Sequence, residues 1–109
     1  MAGQIHNIAG YRFVNLNDRD ELQTYYRSVC EDLGLKGTVL LAPEGINFFV
    51  AGTEPSVDGF VEHLERDKRF TAIQLKRSFT EYQPFNRMNV RKKNEIISVG
   101  MDSINPAEF

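Results

Sequence analysis

The sequence contains a single cysteine, Cys30, among its 109 residues. One thiol permits no internal disulfide bond and no metal site built from several thiolates. The two histidines, His6 and His63, lie far apart and have no partners at metal-binding spacing. Cys30 falls on the apolar side of a predicted helix, which is typical of a core residue rather than of a nucleophile. We therefore expect no metal and no other cofactor.

Long apolar segments are also missing. No run approaches the roughly 20 residues that a membrane-spanning helix needs. The first residues contain neither the basic nor the apolar region of a secretory signal. The hydrophobic content of 41% and the charged content of 26% are ordinary for a globular protein. These features predict a single domain in a reduced, cytoplasmic protein.

Hydrophobic periodicity predicts strands and helices in the order β-α-β-β-α-β, followed by a further strand region. Residues 1–9 have no clear period and are interpreted as a loose lead-in to a first strand over residues 10–16. The first helix is predicted to begin at Asp18, with Glu21 completing a capping box, and to end at Gly34.

The middle of the chain predicts a β-hairpin. Two apolar strands, over residues 38–42 and 46–51, are separated by the three residues of a Pro-Glu-Gly loop. A second helix is predicted after Thr53, which is a suitable N-cap. A strand over residues 72–79 and a strand region over residues 88–99 complete the order.

Each predicted helix has one apolar face, which suits packing on one side of an antiparallel sheet. The predicted fold is therefore an α+β, ferredoxin-like βαββαβ sandwich with both helices on one face of the sheet. The C-terminal strand region is an addition to this arrangement.

Positive charge is concentrated in one part of the chain. Residues 1–67 contain five Lys or Arg and eleven Asp or Glu, whereas residues 68–93 contain eight Lys or Arg and one acidic residue. Such a segment can attract the phosphates of a nucleic acid, and aromatic rings within it can stack on unpaired bases. The candidate RNA-binding residues are Lys76, Arg77, Tyr82, Phe85, Arg87, Arg91, Lys92 and Lys93. A solvated basic edge of the sheet explains the same spacing.

The hairpin tip is the second candidate site. Glu44, Gly45 and Asn47 gather a carboxylate, a backbone amide and a carboxamide. These groups could position a substrate or a partner domain. Alternatively, they serve the turn itself, with Asn47 closing the hairpin through hydrogen bonds to the backbone.

Two separated motifs resemble a known family. Residues 36–47 read KGTVLLAPEGIN and resemble the signature KGTxxLAxEGIN of bacterial rhodanese-domain tRNA uridine hydroxylases, which form 5-hydroxyuridine at the wobble position. Residues 84–97 read PFNRMNVRKKNEII and resemble the family segment PFxRMxVxxKxEIV. The resemblance covers essentially the whole chain and implies the acylphosphatase-like N-terminal domain of such a protein.

The resemblance also implies a division of labour. In the family an oxidoreductase activity resides in a rhodanese domain that carries a catalytic cysteine, and this chain ends before such a domain. We therefore expect residues 1–100 to form a non-catalytic module that contacts tRNA, and residues 101–109 to begin a linker to the rhodanese domain in cis.

Two other functions stay open. One is a structural domain that packs on the rhodanese domain without touching RNA. The other, which the residues disfavour, is an acylphosphatase-type hydrolase. Such an enzyme needs a loop of backbone amides around a phosphate, but the turn after the first strand has no glycines and two carboxylates. Arg19 and Asn47 are the only stand-ins for its arginine and asparagine.

Overall fold

The computed structural model describes residues 4–71 and 73–92. Their elements confirm the predicted order of strands and helices. In chain order they are β1 (Ile5–Phe13), α1 (Arg19–Leu33), β2 (Lys36–Ala42), β3 (Gly45–Gly52), α2 (Glu54–Glu65), a 3₁₀ turn (Lys68–Phe70), β4 (Gln74–Thr80) and β5 (Met88–Lys92). The strand region predicted beyond residue 92 and the predicted linker lie outside the described residues.

The five strands form one mixed sheet in the order β4-β1-β3-β2-β5. The first four strands pair antiparallel in the arrangement of a ferredoxin-like fold, and β5 adds to the edge of β2 in parallel. β3 lies at the centre of the sheet, as the apolar character of the hairpin predicted. The structure thus confirms the α+β fold with an extra C-terminal strand.

The core lies between the sheet and the two helices. Alternate residues of the central strands, such as Ile8, Val39 and Phe48, are buried together with Tyr26 of α1 and Phe60 of α2. The rings of Phe48 and Phe60 meet edge to face with centroids 5.1 Å apart. Both helices therefore pack on the same side of the sheet, because side chains at alternate strand positions point to that side.

The first strand was predicted too late in the sequence. β1 begins at Ile5, so residues 5–9 are part of the sheet, and residues 14–16 follow the strand. The pattern was obscured because only Ile8 is a large buried residue on the helix side of β1. On the other side the polar Asn7 is buried, with only 2% of its surface exposed, and its amide donates to the Thr80 hydroxyl.

The helix ends agree only in part with their predicted caps. Gly34 adopts the left-handed conformation after α1, and the Thr53 hydroxyl accepts a hydrogen bond from the Ser56 amide at the start of α2. The capping box at α1 was a wrong prediction, because the Asp18 side chain makes no cap hydrogen bond. Its carboxylate instead accepts hydrogen bonds from Arg69.

The hairpin turn is shorter than predicted. Ala42 pairs with Gly45, so only Pro43 and Glu44 connect the strands. Gly45 has a positive φ of 156°, and a β-carbon there would lie 2.1 Å from the Arg12 carbonyl oxygen of the adjacent strand. Glycine is therefore required at this position by the close approach of two backbones.

We expect the substitution Gly45→Ala to lower the free energy of unfolding by about 2–4 kcal/mol, because β1 and β3 must separate to admit a methyl group. Gly59→Ala is a matched control, since its β-carbon would meet only the flexible side chain of Leu33 at 3.1 Å. The control should change stability by no more than about 1 kcal/mol. Urea denaturation measures both, and equal effects would contradict the account of Gly45.

Candidate functional site

One side of the sheet is not covered by the helices, and we call it the open face. It consists of the strand residues that alternate with the core residues, including Tyr11 and Phe13 of β1, Asn47 and Phe49 of β3, and Leu40 of β2. Within the described residues, the segment that connects β4 to β5 crosses this face at the end near Ala51. There the Gln83 side chain donates to the Ala51 carbonyl oxygen at 3.1 Å.

Three aromatic side chains on the open face are about half exposed. The exposed fractions are 50% for Tyr11, 57% for Phe13 and 47% for Phe49. The rings of Tyr11 and Phe13 have centroids 5.7 Å apart. Tyr11 faces Asn47 across the β1–β3 pair, so Tyr11 and Phe49 occupy diagonal positions about 7–8 Å apart. The two central strands therefore present neighbouring aromatic rings to solvent.

The open face also carries an excess of positive charge. Among the described strand residues that point to it, Lys36, Lys76 and Arg91 are basic and none is acidic. All three are exposed, and they form no ion pair with other described residues. Residues that pair across neighbouring strands form rows that run across the sheet. Lys76 lies in the same row as Phe49, and Arg91 lies in the same row as Tyr11.

The helices on the opposite side are acidic. Together α1 and α2 contain eight Asp or Glu residues, all exposed, and only two arginines. Charge is therefore segregated between the strand residues of the open face, which are basic, and the helices, which are acidic. The rest of the helix side is mixed, because Arg69, Arg77 and Lys92 also lie there.

The structure does not bring the predicted RNA-binding cations to one surface. Lys76 and Arg91 point to the open face, from β4 and β5 at its two edges. Arg77 points to the helix side, where it binds Asp58 of α2 at 3.0 Å. Lys92 also points to the helix side and forms an ion pair with Asp20 of α1.

The other members of the predicted set lie in or beyond the connection between β4 and β5. Phe85 is half-buried and packs edge to face on Phe49, with ring centroids 5.1 Å apart. Tyr82 is exposed, as is Arg87, whose carbonyl oxygen accepts a hydrogen bond from the Gly37 amide. Lys93 lies outside the described residues.

The residues predicted as a site at the hairpin tip lie in two places: Glu44 is in the turn, whereas Gly45 and Asn47 are in β3. Glu44 is exposed at the tip, and its carbonyl oxygen accepts a hydrogen bond from the Val14 amide at 2.9 Å. Gly45 serves the close contact between strands. Asn47 points to the open face, and within the described residues its carboxamide makes no hydrogen bond, so the predicted closure of the hairpin is not observed there.

The sequence patterns did not indicate Tyr11, Phe13, Phe49 and Lys36 as candidate functional residues. One available signal was the pair Phe48-Phe49 in a strand whose sheet is covered on one side only. Successive strand residues point to opposite faces, so one of the two rings must lie on the uncovered side. Tyr11 lies within the predicted first strand, but the local pattern does not show that the strand of Phe49 lies beside it.

A groove between α1 and β5 has a structural explanation. Gln23 and Arg27 line it together with Met88–Lys92. Both α1 side chains donate to the Val90 carbonyl oxygen, at 2.8 and 3.4 Å. These bonds satisfy an acceptor on the outer edge of β5, which reduces the tendency of that edge to pair with another strand.

The described residues offer little for catalysis. Cys30 is fully buried, and burial raises the pKa of its thiol to about 12, so it is not a thiolate at neutral pH. No three metal-ligating side chains converge within residues 4–71 and 73–92. Arg19 begins α1 on the helix side, whereas Asn47 points to the open face, so these two residues do not form a shared phosphate site.

No helix in the described part of the chain is long and apolar enough to cross a membrane. The longest, α1, has 15 residues. It is amphipathic, with Leu22, Tyr26, Val29 and Cys30 buried against the sheet.

The topology and the two-helix layer define an acylphosphatase-like domain. Residues 5–96 match the family model described as the UPF0176 acylphosphatase like domain. The chain belongs to this family. It is 54% identical over 105 residues to a tRNA uridine(34) hydroxylase of Cupriavidus pinatubonensis and 48% identical over 104 residues to that of Thiobacillus denitrificans. These alignments cover 96% and 95% of this chain but only 37% and 42% of the relatives.

Solved structures share the fold at low sequence identity. The dark-state structure of the BLUF protein BlrB superposes with a TM-score of 0.72 at 15% identity, covering 99% of this chain and 90% of that protein. Acylphosphatase from Bacillus subtilis superposes with a TM-score of 0.59 at 15% identity, covering 80% of this chain and 97% of the enzyme. These likenesses establish the fold alone.

Arg69, although part of the basic segment, has a structural role. Its guanidinium contacts Asp18 at 2.8 Å and Asp67 at 2.7 Å, which joins the 3₁₀ turn to the start of α1. The hydrogen bonds from Arg69 lower the pKa of both carboxyl groups below their usual value. Carboxyl groups with a lowered pKa in the folded state stabilise it at neutral pH, and this contribution is lost as the pH falls through the folded-state pKa.

We therefore expect Arg69→Gln to reduce the free energy of unfolding by about 1–2 kcal/mol at pH 7, where the partly exposed ion pairs are screened by solvent. The difference from the wild type should shrink below about pH 4, as Asp18 and Asp67 become protonated. Lys68→Gln, at an exposed neighbouring cation, is the control. Thermal unfolding between pH 3 and pH 7 measures the effect, and a difference independent of pH would contradict this role.

Proposed function

We propose that this chain is the N-terminal module of a tRNA-modifying protein and that it holds tRNA without performing chemistry. The modification is 5-hydroxylation of the wobble uridine, and it takes place in a rhodanese domain of the same polypeptide. The support from relatives is that proteins about 50% identical to this chain are named tRNA uridine(34) hydroxylases, of which the chain spans about 37–42%.

The observation that carries the binding role is the segregation of charge. Lys36, Lys76 and Arg91 point to the open face, which has no acidic strand residue in the described part of the sheet. A phosphate backbone would be attracted to this side and repelled by the acidic helices. Two of the eight helix carboxylates are engaged in ion pairs with strand cations, so the repulsion comes from the others. The orientation of the module on tRNA follows from this asymmetry.

A second candidate is a structural domain that packs on the rhodanese domain and does not contact RNA. The ion pairs of Arg69, Arg77 and Lys92 favour it, because these three cations are engaged within the domain. The exposed aromatic rings of the open face would suit a domain interface as well. The two candidates differ in whether Lys76 and Arg91 bind phosphate.

Neighbouring cations on the same strands distinguish these candidates. We expect Lys76→Gln and Arg91→Gln each to weaken tRNA binding and to reduce the slope of log K against log salt concentration by about 1, as loss of one phosphate contact does. Arg77→Gln and Lys92→Gln remove the same charge from the adjacent strand positions, but on the helix side.

Fluorescence anisotropy with labelled tRNA between 50 and 200 mM salt measures these differences. Equal losses in all four variants would indicate non-specific attraction to net charge and contradict the proposed orientation. Absence of tRNA binding by the wild-type chain, and also by the longer protein that contains it, would favour the structural domain.

A further inference from the structure

We propose that the open face is a stacking platform for unpaired RNA bases, with the rings of Tyr11 and Phe49 as its two base-contacting positions. This inference rests on the proposed tRNA-binding function and specifies its mechanism. Neither ring belongs to the basic segment, and neither resemblance motif points to Tyr11. The geometry of the sheet brings the two rings together.

The two rings lie next to each other on the sheet. Tyr11 and Phe49 lie on the adjacent central strands β1 and β3, at diagonal positions that separate them by about 7–8 Å. RNA-recognition motifs use a four-stranded sheet in this way, stacking two or three bases on aromatic residues of the sheet. Tyr11 and Phe49 likewise present half-exposed rings side by side on the central strands.

Contacts within the domain hold both rings in place. Phe49 packs against Phe85 with ring centroids 5.1 Å apart, and the segment carrying Phe85 is held to the sheet by the Gln83 hydrogen bond to Ala51. Tyr11 is flanked by Phe13 at 5.7 Å. A ring held in place before binding loses little conformational freedom when a base stacks on it.

A carboxamide and two cations lie on the same face as the rings. Asn47 stands opposite Tyr11 and two residues from Phe49, with a carboxamide that offers a donor and an acceptor to the edge of a base. Lys76 lies on the edge strand β4 and Arg91 on the opposite edge strand β5, so about 19 Å separates them across the five strands. Bases can thus stack at the centre while phosphates meet cations at the margins.

The charge of this surface favours RNA over another domain as its occupant. An interface between domains would pair its buried cations with acidic groups or exclude them. Here Lys36, Lys76 and Arg91 surround exposed aromatic rings without an acidic strand residue on the described face. Unpaired RNA complements both features, because it combines flat bases with a phosphate backbone.

The proposal is tested with an RNA stem-loop that carries 2-aminopurine either in its loop or in its stem. We expect Tyr11→Leu and Phe49→Leu each to weaken binding of the stem-loop about 5- to 150-fold, the range for loss of one base–aromatic stack. The fluorescence of 2-aminopurine in the loop should be altered by binding of the wild type and recover in the variants. The stem probe should respond to neither.

Conservative variants separate stacking from general damage. Tyr11→Phe and Phe49→Tyr keep an aromatic ring and should retain binding within about threefold. Phe79→Leu is the matched control, because Phe79 is 52% exposed but lies on the helix side, paired with His6. Circular dichroism and thermal unfolding verify that every variant is folded.

The outcomes separate this inference from the proposed function. If the leucine variants bind the stem-loop like the wild type while Lys76→Gln and Arg91→Gln bind weakly, the stacking platform is refuted and tRNA binding stands. If neither the wild-type chain nor the longer protein that contains it binds RNA, both proposals fail. If the leucine variants leave RNA binding intact but lower the unfolding temperature of the longer protein, the open face is a domain interface and the inference is overturned.

Discussion

The structure depends on the fact that two helices cover only one side of a five-stranded sheet. α1 and α2 bury Val39, Phe48 and Val50 on the helix side, and the alternation of strand side chains then fixes which residues remain on the open face. Burial of the large apolar side chains of the core supplies the dominant favourable term in folding. The same packing determines where Tyr11, Phe49 and Lys76 point.

The one-sided cover also explains how a chain with a net charge of −2 can attract a polyanion. Its acidic residues are concentrated on the helices, while the strands expose basic and aromatic side chains on the opposite side. Under the proposed function, the local field at the open face, and not the total charge, would decide which side of the domain approaches RNA. Several cations of residues 68–93 instead form ion pairs within the domain, as Arg69 does with Asp18 and Asp67.

One of the two motifs that resemble the family contains residues with two different roles. In the segment KGTVLLAPEGIN, Gly37 and Gly45 both have positive φ angles, and a β-carbon at either would lie 2.1 Å from a carbonyl oxygen of a neighbouring strand. These glycines meet the needs of tightly spaced backbones. Asn47 of the same motif reaches the open face, so one short segment combines residues required by the fold with a residue available for binding.

The fold could be predicted from the sequence because its helices and its central hairpin have strong apolar periodicity. The start of β1 could not, since it includes the buried polar residue Asn7, whose hydrogen bond to Thr80 of β4 joins residues 73 positions apart. The candidate site was harder to predict. Adjacent cations such as Lys76 and Arg77 look equivalent in the sequence, but the sheet separates them and Asp58 engages only the second.

Long-range pairing also explains why the aromatic platform was missed. Tyr11 and Phe49 lie 38 positions apart in the chain, and only the antiparallel register of β1 and β3 makes them neighbours. Local patterns report which face a side chain occupies but not which strand will lie beside it. The position of β5, parallel to β2, likewise places Arg91 on the same face by a contact that sequence periodicity does not encode.

Titration of the isotopically labelled chain with unmodified tRNA, followed by backbone amide NMR shifts, tests the central claim most directly. We expect the shifts to map to the open face, around Tyr11, Asn47 and Phe49, and to leave the outer surfaces of α1 and α2 unchanged. Shifts confined to the helices would contradict the account, because they would place RNA on the acidic side of the domain.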